Sequence, residues 1–171
     1  MKINEAMQMG REALSKHGVE PREARLLLAF AMKISGSELI KYTECTKEQY
    51  KLYMELINRR CNKEPYNYVV GYKEFMKLNF EVDSNVLIPR DDTEILVEEI
   101  IKIAKEKFAT NNKIRILDMC TGSGCIAISL DKYIENAEVF AVDVSDGALN
   151  LARKNAKLNA SNVKVIKYNL F

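Results

Sequence analysis

The 171-residue chain contains one histidine, His17, and four cysteines, Cys45, Cys61, Cys120 and Cys125, with no C-x-x-C pair. That scarcity excludes the usual zinc-ligand spacings, so no metal site is expected. Cysteines without a disulfide framework point to reduced thiols and a cytoplasmic protein. No apolar run approaches membrane-spanning length, and Met1 to Glu12 lacks the apolar core of a signal peptide. An excess of one charge is also missing, since Lys and Arg number 26 against 24 Asp and Glu, a formal net of +2. So balanced a chain carries no electrostatic footprint for nucleic acid. Repeats and low-complexity tracts are absent as well. What is present is a hydrophobic content of 47%, enough for the core of one domain or two small ones.

The most informative stretch is Ile114 to Leu130, IRILDMCTGSGCIAISL, which reads as strand, glycine turn, helix. Ile114, Ile116 and Leu117 form a short apolar strand with Asp118 at its carboxyl end. Thr121-Gly122-Ser123-Gly124 makes a turn where backbone without Cβ lets a ligand approach closely. Ile126, Ala127 and Leu130 begin the following helix. A second apolar strand, Val139 to Val142, ends in Asp143 about 19 residues past Gly124, the distance at which an acidic residue accepts hydrogen bonds from a ribose diol. The pattern is that of a nucleotide-type cofactor site. Gly122-x-Gly124-x-x-Ala127 satisfies the loose dinucleotide fingerprint, while Asp118-x-Cys120-x-Gly122-x-Gly124 fits an S-adenosylmethionine loop with cysteine at its first glycine position. Spacing alone leaves both open.

The chain has two unlike halves. Residues 3 to about 63 read as a bundle of four or five helices. Pro21 suits the first turn of a helix carrying Leu26, Leu27, Leu28 and Phe30. Thr46-x-x-Gln49 is a capping box, followed by Tyr50, Tyr53, Met54, Ile57 and Cys61 on one face. This aromatic and methionine stripe is read as core packing. Pro65 to Gly71 breaks the helical pattern, and Phe75, Leu78, Phe80 and Val82 alternate with polar residues as a hairpin would. Asp91, Asp92 and Thr93 are candidate caps for a long helix whose expected core face is Ile95, Leu96, Ile100, Ile103 and Ala104, ending near Thr110 to Asn112. Strand and helix then alternate over 114–118, 124–134, 138–142, 146–158 and 163–168. Such alternation implies a parallel sheet with a ligand at the carboxyl ends of its strands.

At motif level the whole chain resembles the HemK/PrmC family, the N5-glutamine methyltransferases of peptide chain release factors. Pro65-Tyr66-Asn67-Tyr68-Val69-Val70-Gly71 is similar to the family's P-x-Q-Y-hydrophobic-x-G segment. Phe75 with Leu78-x-Phe80-x-Val82 resembles its F-x-x-L-x-F-x-V hairpin. Val86-Leu87-Ile88-Pro89-Arg90-Asp91-Asp92-Thr93-Glu94 resembles V-L-I-P-R-P-[ED]-T-E, and Leu117 to Ser129 its S-adenosylmethionine loop. Motifs in this order decide the cofactor in favour of S-adenosylmethionine.

The resemblance implies an α plus α/β architecture. Residues 1–63 would form a helical domain that docks the release factor, 64–85 a hairpin linker, and 86–171 the cofactor half of a Rossmann-like methyltransferase domain. Cys120, Thr121, Gly122, Ser123 and Gly124 would wrap the methionine and ribose of the cofactor. Asp143 would hold the ribose hydroxyls, and Leu170 would lie against the adenine. Arg90, Thr93 and Glu94 would edge the active site.

Departures from the pattern are Cys120 for the first glycine, Asp91 for the proline after Arg90, and Asn67 for glutamine. The largest is that the chain stops at Phe171, before the family's Asn-Pro-Pro-Tyr motif. By the resemblance, that motif orients the weakly nucleophilic glutamine amide towards the methyl group, so no catalytic residue is expected within this chain and the piece alone should be inactive. Its first strand would also keep an unpaired edge, which invites self-association. Two other readings stand beside this one: a nucleic-acid base amino-methyltransferase of the same fold, and a non-enzymatic helical adaptor with a vestigial nucleotide fold.

Overall fold

The computed structural model describes residues 1–107 and 113–169. It divides into two units, Met1–Val70 and Gly71–Phe171.

The first unit is helical: α1 (Ile3–Lys16), α2 (Glu23–Met32), a 3-10 turn (Glu38–Lys41), α3 (Lys47–Cys61) and α4 (Tyr66–Val70). The start of α3 is fixed by its capping box. Thr46 Oγ1 accepts from Gln49 N at 3.2 Å, while Gln49 Oε1 accepts from Thr46 N at 2.8 Å. From the tyrosine stripe, Tyr53 and Ile57 are buried and the other members lie half-buried against the same core. Leu26 departs from expectation, being 48% exposed while Leu27 and Leu28 are buried. Space for Tyr53 comes from Gly10 of α1, where a Cβ would fall 1.8 Å from the phenol oxygen. Burial raises the Tyr53 pKa well above the usual phenol range, so the group stays neutral.

Polar contacts close this unit. Arg60 of α3 grips Glu23 of α2 through Nε at 2.5 Å and Nη2 at 2.9 Å. Arg59 pairs with Glu64 and donates to the carbonyls of Tyr68 and Val69, each at 3.0 Å. Residues after 63 therefore continue the helical unit, with Val69 and Val70 buried in its core. The chain divides at Val70–Gly71 rather than at the expected 63–64, because these two valines need a core and α3 supplies it.

The second unit opens with the antiparallel hairpin β1 (Tyr72–Phe75) and β2 (Leu78–Glu81). Phe75 and Phe80 are fully buried, edge to face at 6.2 Å, in the core of this unit. By packing, the hairpin is an integral part of the α/β unit instead of a free linker. Its turn residues Met76 and Lys77 both have positive φ, 50° and 58°. Glu94 Oε1 accepts from Met76 N at 2.6 Å and Tyr133 Oη donates to Met76 O at 2.6 Å, which holds the turn. Asp91 pairs with Lys73 of β1 at 2.6 Å.

Next come α5 (Asp92–Lys107), β3 (Ile114–Met119), α6 (Cys125–Tyr133), β4 (Ala137–Asp143), α7 (Asp146–Leu158) and β5 (Lys164–Lys167). The strands form a parallel sheet in the order β3-β4-β5, the Rossmann-like arrangement that strand-helix alternation implies. The expected end of α5 at Thr110 to Asn112 lies outside the described residues. Its core face also differs. Val97 and Ala104 are buried, and Ile100 and Ile101 pack on the core, whereas Ile95, Leu96 and Ile103 are exposed. Positions 97, 100, 101 and 104 make an apolar stripe as regular as the expected one. A helix apolar on two sides cannot announce which side it buries.

Candidate cofactor site

The site is built at the carboxyl ends of β3 and β4. From β3 the chain turns through Cys120, Gly122 and Gly124, all with positive φ (61°, 54° and 82°). Cys120, which stands where the resembled pattern has its first glycine, adopts the left-handed conformation at a cost of about 1–2 kcal/mol for a residue with a Cβ. At Gly124 a Cβ would lie 2.9 Å from Ile128 Cδ1 and 3.2 Å from Ala152 Cβ, so glycine is required by packing as well as by φ. At Gly122 a Cβ would meet nothing nearer than Val86 at 4.0 Å, so the backbone there is open to a ligand. Thr121 and Ser123 are buried, and Cys120 is exposed.

Two carboxylates pin this turn. Asp118 Oδ2 accepts from Thr121 Oγ1 at 2.6 Å and from Ala127 N, in the first turn of α6, at 3.3 Å. Burial pushes the Asp118 pKa up, the bonds from Thr121 and Ala127 oppose the rise, and the nearby charge of Asp143 adds to it. Asp143 Oδ2 accepts from Gly122 N at 2.9 Å, and its Oδ1 accepts from Ser145 N at 3.0 Å. Thr121 N also donates to Val142 O at 3.0 Å. The turn is thus tied to β3, β4 and α6. Each Asp143 oxygen keeps a second lone pair for an incoming hydroxyl.

The structure brings Cys120 through Gly124 together with Asp143 as the spacing implies. Leu170 lies outside the described residues. Arg90 is exposed, Thr93 is half-buried in the first turn of α5, and Glu94 is engaged by the hairpin turn. Among the described residues no hydrogen bond joins these three to the 120–124 turn.

One residue of the site escaped the sequence reading, and the part played by another was not visible there. Asp118 was legible as the acidic residue ahead of the glycine turn, but its role as a brace for Thr121 and α6 was not. Asn155 is fully buried on α7 and bonds both the turn and the hairpin. Its signal was present: an amide on the face of Ala148, Ala152 and Ala156, where every other member is apolar. The Cys125 thiol is buried and its pKa is pushed up to about 11, chiefly by that burial, which makes it a packing residue.

Known proteins match along the chain. Residues 5–71 fit the family model of the PrmC N-terminal domain, and residues 92–171 that of the methyltransferase small domain. The release factor glutamine methyltransferase of Thermodesulfovibrio yellowstonii is 39% identical over 90% of this chain and 55% of its own length. The protein of that name from Buchnera aphidicola is 38% identical over 100% of this chain and 62% of its own length. A third, from Flavobacterium psychrophilum, is 50% identical over 63% of this chain and 38% of its own length. The chain therefore spans about half the length of the curated relatives it matches. The chain thus carries a match to the PrmC N-terminal domain followed by one to the methyltransferase small domain, and it is similar over most or all of its length to proteins named release factor glutamine methyltransferase.

Proposed function

We propose that this chain supplies the substrate-recognition and cofactor-binding portion of an S-adenosylmethionine-dependent enzyme that methylates a glutamine side-chain nitrogen in peptide chain release factors. The observation that carries the reading is the braced turn at the end of β3, with Asp118 behind it and Asp143 beside it. A helix N-terminus behind a glycine turn ordinarily receives a pyrophosphate. Here the Asp118 carboxyl already takes the Ala127 N–H at the start of α6, and a second carboxyl stands at Asp143. Phosphates meet repulsion in such a site, whereas the cationic amino and sulfonium groups of S-adenosylmethionine meet attraction. The open backbone at Gly122 and the spare lone pairs of Asp143 fit the cofactor's ribose.

In this reading Cys120 to Gly124 wrap the methionine and ribose, Asp143 holds the ribose hydroxyls, and Leu170 covers the adenine. Bound there, S-adenosylmethionine supplies an electrophilic methyl group. This chain's share of the work is to bind and orient. The Asp143–Gly122 bond fixes the turn, and Arg90 and Thr93 border the acceptor side, with Glu94 acting through the hairpin. No residue of the chain is assigned the orientation of the glutamine amide. In this reading the helical unit Met1–Val70 is the release-factor docking domain, and the unit that begins at Gly71 carries the hairpin and the cofactor region. Among the described residues no helix is long and apolar enough to cross a membrane; we place the protein in the cytoplasm, where translation ends. Among the described residues β3 lies at the edge of its sheet, with Leu117 and Met119 exposed, and we assign self-association of this chain to that edge.

The test is calorimetry of S-adenosylmethionine on the wild-type chain and on Asp143→Ala. A hydrogen bond to a charged group contributes roughly 1.5–3 kcal/mol, so affinity should fall about tenfold or more. Equal affinity in both proteins would remove Asp143 from the site. Binding of NADH in place of S-adenosylmethionine would overturn the cofactor reading.

A further inference from the structure

The inner face of α7 lies against the turn: a Cβ at Gly124 would fall 2.9 Å from Ile128 Cδ1 of α6 and 3.2 Å from Ala152 Cβ of α7. One helical turn further along that face, Asn155 is fully buried and spends its whole amide on backbone. Its Nδ2 donates to Ser123 O at 2.9 Å and to Glu81 O at 3.0 Å, and its Oδ1 accepts from Glu81 N at 2.7 Å. Glu81 is the last residue of β2, so a single side chain joins the turn to the hairpin.

Only an amide completes this set. It needs two donors and one acceptor on one planar group, and a buried polar group left unsatisfied is costly. A carboxylate in the same place would keep the bond from Glu81 N but turn an acceptor oxygen towards the carbonyls of Ser123 and Glu81. Protonated, it would recover one of those two bonds.

We infer that Asn155 is a positioning residue for cofactor binding, holding Ser123 and hence the 120–124 turn at a fixed place relative to the hairpin. The inference rests on the reading of that turn as the S-adenosylmethionine site. It makes the hairpin part of the binding apparatus, since occupancy of the turn and order at the Glu81 amide are linked through one side chain.

The decisive comparison is S-adenosylmethionine affinity of the wild-type chain, Asn155→Ala and Asn155→Asp, each measured from pH 5 to pH 8. The ratio to wild type at each pH cancels whatever pH dependence the two proteins share. For Asn155→Ala the ratio should show a loss of about tenfold or more at every pH. For Asn155→Asp the loss should be as large at pH 8 and shrink several-fold towards pH 5, as the introduced carboxyl takes up its proton. A purely structural role would leave the affinity of each variant at the wild-type value at every pH when measured well below its melting transition, with the loss confined to thermal stability. Because either variant can fail to fold, a second measurement uses the wild-type chain alone. Saturating cofactor should slow amide exchange at both Gly122 and Glu81. Slowing at Gly122 with none at Glu81, or wild-type affinity in Asn155→Asp at pH 8, overturns the role of Asn155 and leaves the cofactor site standing. Absence of S-adenosylmethionine binding by the wild-type chain overturns both.

Discussion

Cys120 holds a backbone conformation that side chains disfavour, at a position where its thiol is exposed and no packing compensates. Glycine there should relieve the left-handed penalty of about 1–2 kcal/mol, less the roughly 0.4–1 kcal/mol by which glycine favours the unfolded chain. Cys120→Gly should therefore stabilise by about 0 to 1.5 kcal/mol, read from urea denaturation; a destabilised variant would mean that the thiol makes a contact stronger than the strain. This strain was legible in part, since the glycine pattern marked the position before the fold was known. Asp143 was legible for a related reason, because a strand of known length puts its final carboxylate at a fixed place. Asn155 was legible only as an amide on an apolar helix face; its partners were not, because nothing local marks bonds made to residues 32 and 74 positions away.

Elements that carry their own instructions match the sequence reading closely. The capping box starts α3 after Thr46, and Ser145 starts α7 by accepting from Ala148 N at 3.3 Å. The face of α5 did not, because its apolar residues surround the helix and only the neighbours choose between them. The hairpin turn is a third kind of case. Its two central residues need positive φ, which favours Asn-Gly, yet the chain has Met76-Lys77 and braces them with Glu94 and Tyr133. Lys77 is exposed, so Lys77→Gly should remove its strain without disturbing either brace and stabilise the hairpin by about 1 kcal/mol or less. A thermal melt compares the two proteins. An unchanged or lowered midpoint would show that the bracing bonds already set the turn at no net cost.

At the scale of the whole chain, the change of period from helix to alternation marked two unlike units, but Pro65 misplaced their border by several residues. Proline sits comfortably at the start of a helix as well as at a break, and here Pro65 O accepts from Val69 N at 3.1 Å as α4 begins. The consequence is testable by cutting on either side of α4. A piece comprising residues 1–70 keeps buried Val69 and Val70 and the carbonyls that Arg59 holds, whereas 1–63 loses all of them and also Glu64, the partner of Arg59. Fully burying a valine contributes about 1.5–3 kcal/mol, so the shorter piece should be less stable by at least about 3 kcal/mol. Against the few kcal/mol that hold a domain of this size together, that loss is most of the margin. Circular dichroism of 1–70 should therefore show a cooperative helical melt, and that of 1–63 a broad one at much lower temperature. Equal melts would place the border back near residue 63. A disordered 1–70 would mean that the helical unit draws on the rest of the chain for its core.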